Sequence, residues 1–135
     1  MQTPQAALDA VRSRIADACR AAGRDPAGVT LLAVSKKHAA EAVATLADAG
    51  QRDFGESYVN EAVAKIDALA DRSLCWHFIG PLQSNKTRAV AERFHWVHSV
   101  DREKVARRLS EQRPAALDPL NICIQVNIDQ EPGKS

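Results

Sequence analysis

The feature that most constrains the fold of this chain is a regular alternation of short apolar segments with longer segments of helical periodicity. The first short segment, residues 29–35, is apolar and partly β-branched, which is typical of a buried strand. The longer segments repeat apolar residues every three or four positions, which is typical of helices that cover one face of a sheet. Such alternation produces parallel strands joined by helical crossovers. The sequence therefore predicts an α/β fold with a parallel sheet.

The order along the chain is one helix, four strand–helix units and a last strand. The predicted strands are "VTLLAVS" (29–35), "RDFGES" (52–57), "LCWHFIG" (74–80), "HWVHSV" (95–100) and "LNICIQVNI" (120–128). The predicted helices are the segment from Pro4 to Gly23, "AAEAVATLADAG" (39–50), "YVNEAVAKIDALA" (58–70), "NKTRAVAERF" (85–94) and "REKVARRLSEQR" (102–113). Thr3, Ser84 and Asp101 are predicted to cap three of these helices. The buried stripe predicted for the third helix is Val59, Val63, Ile66 and Ala70.

Two architectures fit this order of elements, a doubly wound open sheet and part of a (β/α)8 barrel. Doubly wound folds that bind dinucleotides carry G-x-G-x-x-G after the first strand, and no such motif follows residues 29–35. The pattern therefore weakens the dinucleotide-binding alternative and leaves the barrel open.

Composition and charge disfavour several classes of function. A formal net charge of +1 and an aromatic content of 4% argue against a nucleic-acid surface. No apolar stretch approaches the roughly 20 residues that span a bilayer, and the N-terminus does not resemble a signal peptide. The three cysteines, Cys19, Cys75 and Cys123, are widely spaced. We expect them to be reduced, buried thiols of a cytoplasmic protein.

The first predicted strand ends in two lysines, Lys36 and Lys37. Side chains alternate along a strand, so Lys36 shares a face with Val34 whereas Lys37 points the opposite way. Barrel proteins build their sites at the carboxyl ends of their strands. A lysine in apolar surroundings there favours the neutral amine that Schiff-base formation requires. The alternative is that Lys36 extends from the strand end into water, as surface lysines do.

The histidines and the C-terminal "GKS" offer weaker signals. His77 lies between two aromatic residues of the third strand, where it either lines a site or is a hydrogen-bonded core residue. The four histidines show neither H-x-x-x-H nor H-E-x-x-H spacing, so no metal site is expected. The "GKS" of residues 133–135 lacks the earlier glycine of a phosphate-binding P-loop.

Four segments occur in an order and spacing that identify a family: "LLAVSK", "FGESYVNEAVAKI", "WHFIGPLQSNKTRAV" and "ICIQVNI". They resemble the pyridoxal phosphate homeostasis protein family, which is itself similar to the barrel domain of alanine racemase. The resemblance covers nearly all 135 residues. It implies that residues 1–135 are the N-terminal portion of a TIM-type (β/α)8 barrel that binds pyridoxal phosphate (PLP). It further implies a role in balancing vitamin B6 and amino and keto acids, without robust catalysis.

The resemblance also implies site residues. Lys36 corresponds to the lysine that holds the cofactor as a Schiff base. The family often reads S-K-T-K-P where this chain has Ser35 to Ala39, which places a second basic group at His38. It often reads F-G-E-N where this chain has Ser57, a shorter residue that still forms hydrogen bonds. Ser57 is therefore a further cofactor-binding candidate, and His77 is another because of its place on the third predicted strand.

The length of the chain departs from that of a complete barrel, which takes about 250 residues and at least about 200. Five predicted strands leave three unaccounted for, and the resemblance implies that strands six to eight supply the loops that hold the cofactor phosphate. We therefore expect a chain truncated at "EPGKS" (131–135), just after strand five. Partner chains that cover the open sheet are the alternative. A full barrel is expected to be a monomer, whereas association is an open alternative for a chain this short.

Three functions compete. The first is a non-catalytic PLP carrier, whose cofactor acceptors are apo forms of PLP-dependent enzymes. The second is a PLP-dependent racemase or decarboxylase, which needs a second acid/base on the other face of the cofactor. Tyr58 is the only tyrosine of the sequence, and we expect no second domain, which counts against this alternative. The third is an inert fragment without the phosphate-binding loops.

Overall fold

The computed structural model of the chain describes residues 2–129 and Pro132. Its α-helices are α1 (Pro4–Ala21), α2 (Ala40–Asp48), α3 (Val59–Ala68), α4 (Thr87–Arg93) and α5 (Glu103–Gln112). Its strands are β1 (Ala33–Val34), β2 (Asp53–Glu56), β3 (Cys75–Phe78), β4 (Trp96–Val100) and β5 (Asn121–Ile124). Short 3-10 turns lie at Pro26–Gly28 and Ser84–Lys86. The "EPGKS" stretch, apart from Pro132, and the whole of "GKS" lie outside the described residues.

The five strands form one parallel sheet in the order β1-β2-β3-β4-β5. Each helical crossover therefore moves the chain by one strand in the same direction, as in a barrel, whereas a doubly wound sheet reverses its direction. This confirms the predicted α/β fold with a parallel sheet and favours the barrel over the doubly wound alternative. Truncation after strand five stays a prediction.

The hydrophobic core lies between one face of the sheet and helices α2 to α5. Phe54 of β2 packs against Trp76 of β3 with ring centroids 5.7 Å apart, and Phe78 packs against Phe94 at 5.4 Å. The helices complete this core with Val43, Ala47, Ala62, Val90, Ala91, Val105 and Leu109. Because side chains alternate along a strand, the residues between the core aromatics point to the opposite face of the sheet. No helix within residues 2–129 has the combination of length and apolar character that a membrane crossing requires.

The two outer strands are shorter than predicted. β1 covers two residues of the predicted 29–35, and β5 covers 121–124 of the predicted 120–128. In the described part of the sheet, each has a neighbouring strand on one side only, so fewer ladder hydrogen bonds extend it. Before β1 the side chain of Gln51 replaces the ladder hydrogen bonds. Its Nε2 donates to the carbonyls of Leu31 at 2.7 Å and Asp53 at 2.9 Å.

Helix capping follows the prediction at one helix and departs from it at two. Thr3 caps α1, because its Oγ1 accepts the Ala6 N–H at 3.1 Å. Ser84 lies within a 3-10 turn and accepts the Thr87 hydroxyl with its carbonyl at 3.1 Å, so α4 begins later than predicted. Asp101 does not cap α5, which begins without a side-chain cap.

The buried face of α3 is also rotated from the predicted stripe. Its buried residues are Ala62 and Lys65, and Ala70, which the stripe included, is exposed. Val59 and Ile66 are partly buried beside the core. The prediction failed because a lysine was counted as a surface residue, whereas Lys65 lies beneath the sheet edge with a carboxylate partner.

Candidate functional site

Lys36 lies in a turn that directly follows β1. Ser35, before it, is 5% exposed, and Lys36 itself is exposed. The turn closes where the His38 N–H donates to the Ser35 carbonyl at 3.0 Å. In the described part of the chain, the Lys36 amine has no hydrogen bond or ion pair. Lys36 thus lies at the carboxyl end of the strand as expected, but the apolar surroundings that the sequence suggested are absent.

Lys37 differs from its neighbour in conformation and in contacts. Its backbone adopts a positive φ of 65°, and among the described non-glycine residues only Lys37 does so. Its Nζ lies 5.8 Å from the centroid of the Tyr58 ring. Its backbone N–H donates to the carboxylate of Glu61 on α3. The two lysines therefore have different surroundings, and Lys36 carries the free amine.

A buried ionic cluster lies directly beneath this turn. Lys65 of α3 donates from Nζ to the Ser35 carbonyl at 2.7 Å and to the two carboxylate oxygens of Glu56 at 2.9 and 3.2 Å. Glu56, the last residue of β2, is fully buried, and it also accepts the hydroxyl of Ser35. Lys65 pairs in addition with Glu61 at 2.7 Å. The hydrogen bond from Lys65, followed by that from the Lys37 N–H, holds the pKa of Glu61 below its usual value although burial opposes this.

Sequence reasoning missed this cluster. Glu56 and Lys65 are charged, and charged residues are normally assigned to the surface. The signal in the sequence is that Glu56 ends a predicted strand of a buried sheet, where a carboxylate requires a partner. The sequence did not indicate which lysine supplies it.

Ser57 follows β2 at the same edge of the sheet as Lys36. Val34 and Gly55 are register partners in the parallel pair of β1 and β2. Lys36 and Ser57 each lie two positions further along the chain, just past the end of their strand. Ser57 packs against Gly80, where an added Cβ would lie 2.4 Å from the Ser57 carbonyl oxygen. A groove of about 240 Å³ opens beside it, lined by Ser57, Tyr58, Asn60, Gln83 and Lys86 among others. Contact of Ser57 with a cofactor stays a prediction.

His77 is held inside the sheet by hydrogen bonds on both ring nitrogens. Its Nε2 lies 2.8 Å from Asp53 Oδ1 and its Nδ1 lies 2.9 Å from His98 Nε2. The side chain is 7% exposed and stacks against Trp96 with centroids 5.8 Å apart. These contacts match the hydrogen-bonded alternative that the sequence left open, and its contact with a cofactor stays a prediction.

Cys75 joins His77 and Asp53 in a group of three potential metal ligands. Their donor atoms lie within 4.8 Å of one another. Burial, followed by the nearby Asp53, raises the pKa of the Cys75 thiol to about 11, so the thiol is protonated at neutral pH. Motif spacing could not reveal this group, because it forms only through the register that pairs Asp53 with Cys75. Cys19 is buried as expected, whereas Cys123 is exposed, contrary to the prediction.

The family described as "Alanine racemase, N-terminal domain" matches residues 6–131 of this chain. The chain therefore belongs to this family. Among curated proteins it is 63% identical over 125 residues to a pyridoxal phosphate homeostasis protein of Pseudomonas aeruginosa, covering 93% of this chain and 54% of the relative. It is 55% identical over 131 residues to the protein of the same name from Escherichia coli K12, covering 95% and 56%. The resemblance seen in the sequence is confirmed, and the chain spans about half the length of these relatives.

Solved structures agree with this assignment. PipY of Synechococcus elongatus, in a structure without PLP, matches with a TM-score of 0.76 and 40% identity over 90% of this chain and 57% of that one. A structure of PipY with PLP bound matches with a TM-score of 0.62 and 44% identity over 75% and 47%.

Proposed function

We propose that this chain binds PLP as a Schiff base on Lys36, and that it acts in vitamin B6 and amino and keto acid homeostasis without robust catalysis. The relatives named as homeostasis proteins and the PLP-bound PipY structure support the cofactor. We place this role in the cytoplasm, with apo forms of PLP-dependent enzymes as the acceptors of the cofactor.

The observation that carries this proposal is the unpartnered amine of Lys36 at the carboxyl-terminal edge of the sheet. Lys65 of α3 lies close to this turn in the fold, but its amine already contacts Glu56, Glu61 and the Ser35 carbonyl. Lys37 turns toward Tyr58. Of Lys36, Lys37 and Lys65, Lys36 is therefore the one whose amine has no contact with the described residues and remains free to react.

The Lys36 amine and the polar side chains at this edge of the sheet suit the aldehyde end of the cofactor. The aldehyde of PLP condenses with a neutral lysine amine, with loss of one water and formation of a C=N bond to Nζ. The turn between Ser35 and His38 presents that amine to solvent. Ser57 and the polar groove beside it offer hydrogen-bonding groups at the same edge of the sheet.

Racemase or decarboxylase activity is the alternative, and the position of Tyr58 counts against it. A second acid/base must reach the face of the cofactor opposite the lysine. Tyr58 is 47% exposed and its ring lies beside Lys37. We therefore assign Tyr58 no catalytic role.

The test is uptake of PLP by the purified chain, followed by borohydride reduction and peptide mapping by mass spectrometry. We expect a yellow protein whose colour is fixed by borohydride, with the added mass on Lys36. Lys36→Ala should lose the fixed colour. Lys104→Ala, which removes an exposed lysine of α5, should keep it.

Three results would contradict the proposal. Added mass on another lysine would move the Schiff base elsewhere. A colourless protein that takes up no PLP would favour the inert-fragment alternative. Racemisation or decarboxylation of amino acids above background would favour the enzyme.

A further inference from the structure

Side chains of helix α3 contact the backbone on both sides of Lys36. In the peptide group before Lys36, the Ser35 carbonyl accepts a hydrogen bond from Lys65 Nζ at 2.7 Å. The peptide after Lys36 contains the Lys37 N–H, which donates to Glu61. The backbone on each side of Lys36 is thus tied to α3, while the Lys36 side chain itself is tied to nothing in the described part of the chain.

The two contacts on α3 are linked to each other. Glu61 and Lys65 are four residues apart on the helix, and their charged groups lie 2.7 Å apart. Residues at this spacing lie on the same face of a helix. Lys65 is further fixed by the buried carboxylate of Glu56. Movement of either peptide group would therefore disturb one connected set of ionic hydrogen bonds.

The backbone of Lys37 shows that the turn is held in an unfavourable conformation. A φ of 65° is uncommon for a residue with a long side chain and costs on the order of 1 kcal/mol or more. An exposed turn that was free to relax would leave this conformation. The hydrogen bond from the Lys37 N–H to Glu61 opposes that relaxation.

Burial of charge alone does not account for the contact made by Glu61. Lys65, with its side chain 7% exposed, needs a partner, and the fully buried Glu56 supplies one at 2.9 Å. The side chain of Glu61 is 31% exposed, so water could solvate it. Its carboxylate nevertheless bridges Lys65 and the peptide after Lys36. The ion pair of Glu56 and Lys65 would satisfy the buried charge without Glu61. The additional contact of Glu61 with the Lys37 N–H therefore fixes the turn.

We propose that Glu61 and Lys65 are positioning residues for Lys36, and that they set the direction in which its amine meets an aldehyde by holding the peptide group on either side. The inference rests on the proposed function for its biological meaning. Its geometry can be tested without PLP, so the two can fail separately.

The central variant is Glu61→Ala, which removes the acceptor of the Lys37 N–H and leaves the pair of Glu56 and Lys65 in place. Glu41→Ala is the matched control, because Glu41 occupies the first turn of α2 as Glu61 occupies the first turn of α3. The Glu41 carboxylate has no hydrogen bond or ion pair in the described part of the chain. Glu61→Gln keeps an oxygen that can accept the N–H and should fall between wild type and Glu61→Ala.

The measurements are PLP affinity by absorbance, induced circular dichroism of the bound cofactor, and the rate of Lys36 reductive methylation by formaldehyde, mapped by mass spectrometry. We expect Glu61→Ala to weaken PLP binding about tenfold, the effect of losing one hydrogen bond to a charged group. We also expect an altered dichroism band and an altered methylation rate, which a loss of global stability would not by itself produce. In the Glu61→Ala background, Lys37→Asn should partly restore the dichroism band and the methylation rate, because asparagine tolerates positive φ better than lysine.

The outcomes separate the two proposals. If wild type takes up no PLP but Glu61→Ala still changes Lys36 methylation, the proposed function fails and the positioning role stands. If wild type binds PLP and Glu61→Ala matches Glu41→Ala in affinity, dichroism and methylation, the positioning role is overturned.

Discussion

Gly80 is the residue that allows the loop after β3 to touch the loop after β2. A Cβ at this position would lie 2.4 Å from the Ser57 carbonyl oxygen and 2.8 Å from Ser57 Cα. Both are backbone atoms, so the contact is relieved only if a loop moves. The loop is also held in place where Ser99 Oγ donates to the Gly80 carbonyl at 2.6 Å. Since overpacking costs about 1–3 kcal/mol, we expect Gly80→Ala to lower the free energy of unfolding by that amount in urea titrations.

Gly28→Ala is the matched control for this substitution. An added Cβ at Gly28 meets no heavy atom within 4 Å. Surface substitutions of this kind change stability by about 0.5 kcal/mol or less. Equal losses in the two variants would show that the close approach of Gly80 to Ser57 does not limit stability.

Individual site residues were predictable from sequence to different degrees. The position of Lys36 was predictable, because a lysine that ends an apolar strand stands at the functional edge of a parallel sheet. The residues that hold its turn were not, since Glu56, Glu61 and Lys65 act through contacts that only the packing of α3 on β2 creates. Lys37 was assigned to solvent from strand alternation, and its positive φ has no signature in the sequence.

We expect His95, just before β4, and His98, on β4, to make the stability of the sheet depend on pH. Burial, followed by the nearby His77, holds the pKa of His98 below its usual value. Burial, followed by Arg113, does the same for the pKa of His95. In the unfolded chain both histidines protonate near pH 6.5. The unfolded chain therefore binds more protons than the folded one as pH falls below about 6.5, and the free energy of unfolding decreases there.

His98→Gln should reduce this dependence on pH. Glutamine can still form a hydrogen bond with His77 but does not titrate. We expect the variant to lose less stability than wild type between about pH 7.5 and about pH 5.5, on either side of the ordinary histidine pKa. Urea titrations at the two pH values measure this difference. Identical losses in the two proteins would exclude His98 as a source of the pH dependence.

The inner strands were predicted more closely than the outer ones. β2, β3 and β4 cover most of their predicted segments, because each pairs with a strand on both sides and ladder hydrogen bonds extend it. β1 and β5 are shorter than their apolar segments, since the described sheet continues on one side of each only. Helix starts were predicted closely, but two of the three capping residues were not. Ser84 and Asp101 have the right chemistry for caps, but the chain enters α4 through a 3-10 turn and α5 without a side-chain cap.

At the scale of the whole molecule, both outer strands leave apolar surface uncovered. An apolar groove of about 470 Å³ runs beside β1 and is lined by residues of α1, α2 and β1, including Leu8, Val11 and Val43. At the other edge Ile124 is 74% exposed and Ile128 is 85% exposed. In a parallel α/β sheet such surface is normally covered by further strands and helices. Truncation after the fifth strand, or cover by partner chains, stays a prediction.

The part of its relatives that this chain spans bears on how well it retains the cofactor. This chain covers 54% of the Pseudomonas aeruginosa relative. The family resemblance implies that the loops holding the cofactor phosphate follow the fifth strand. In the 135-residue chain, the Schiff base on Lys36 would then act without that anchor. We expect the chain to bind PLP at least about tenfold more weakly than the complete relative, since charge-assisted hydrogen bonds to a phosphate contribute roughly 1.5–3 kcal/mol each.

Dialysis of the two PLP-loaded proteins side by side, with absorbance as the readout, measures this difference. The Lys36→Ala variant of this chain provides the baseline for cofactor held without the Schiff base. Borohydride reduction before dialysis should abolish the difference, because a reduced C–N bond retains the cofactor regardless of its phosphate contacts. If the unreduced chain retains PLP as well as the complete relative, the described five strands contain the phosphate anchor, and the groove beside Ser57 and Lys86 becomes the place to look for it.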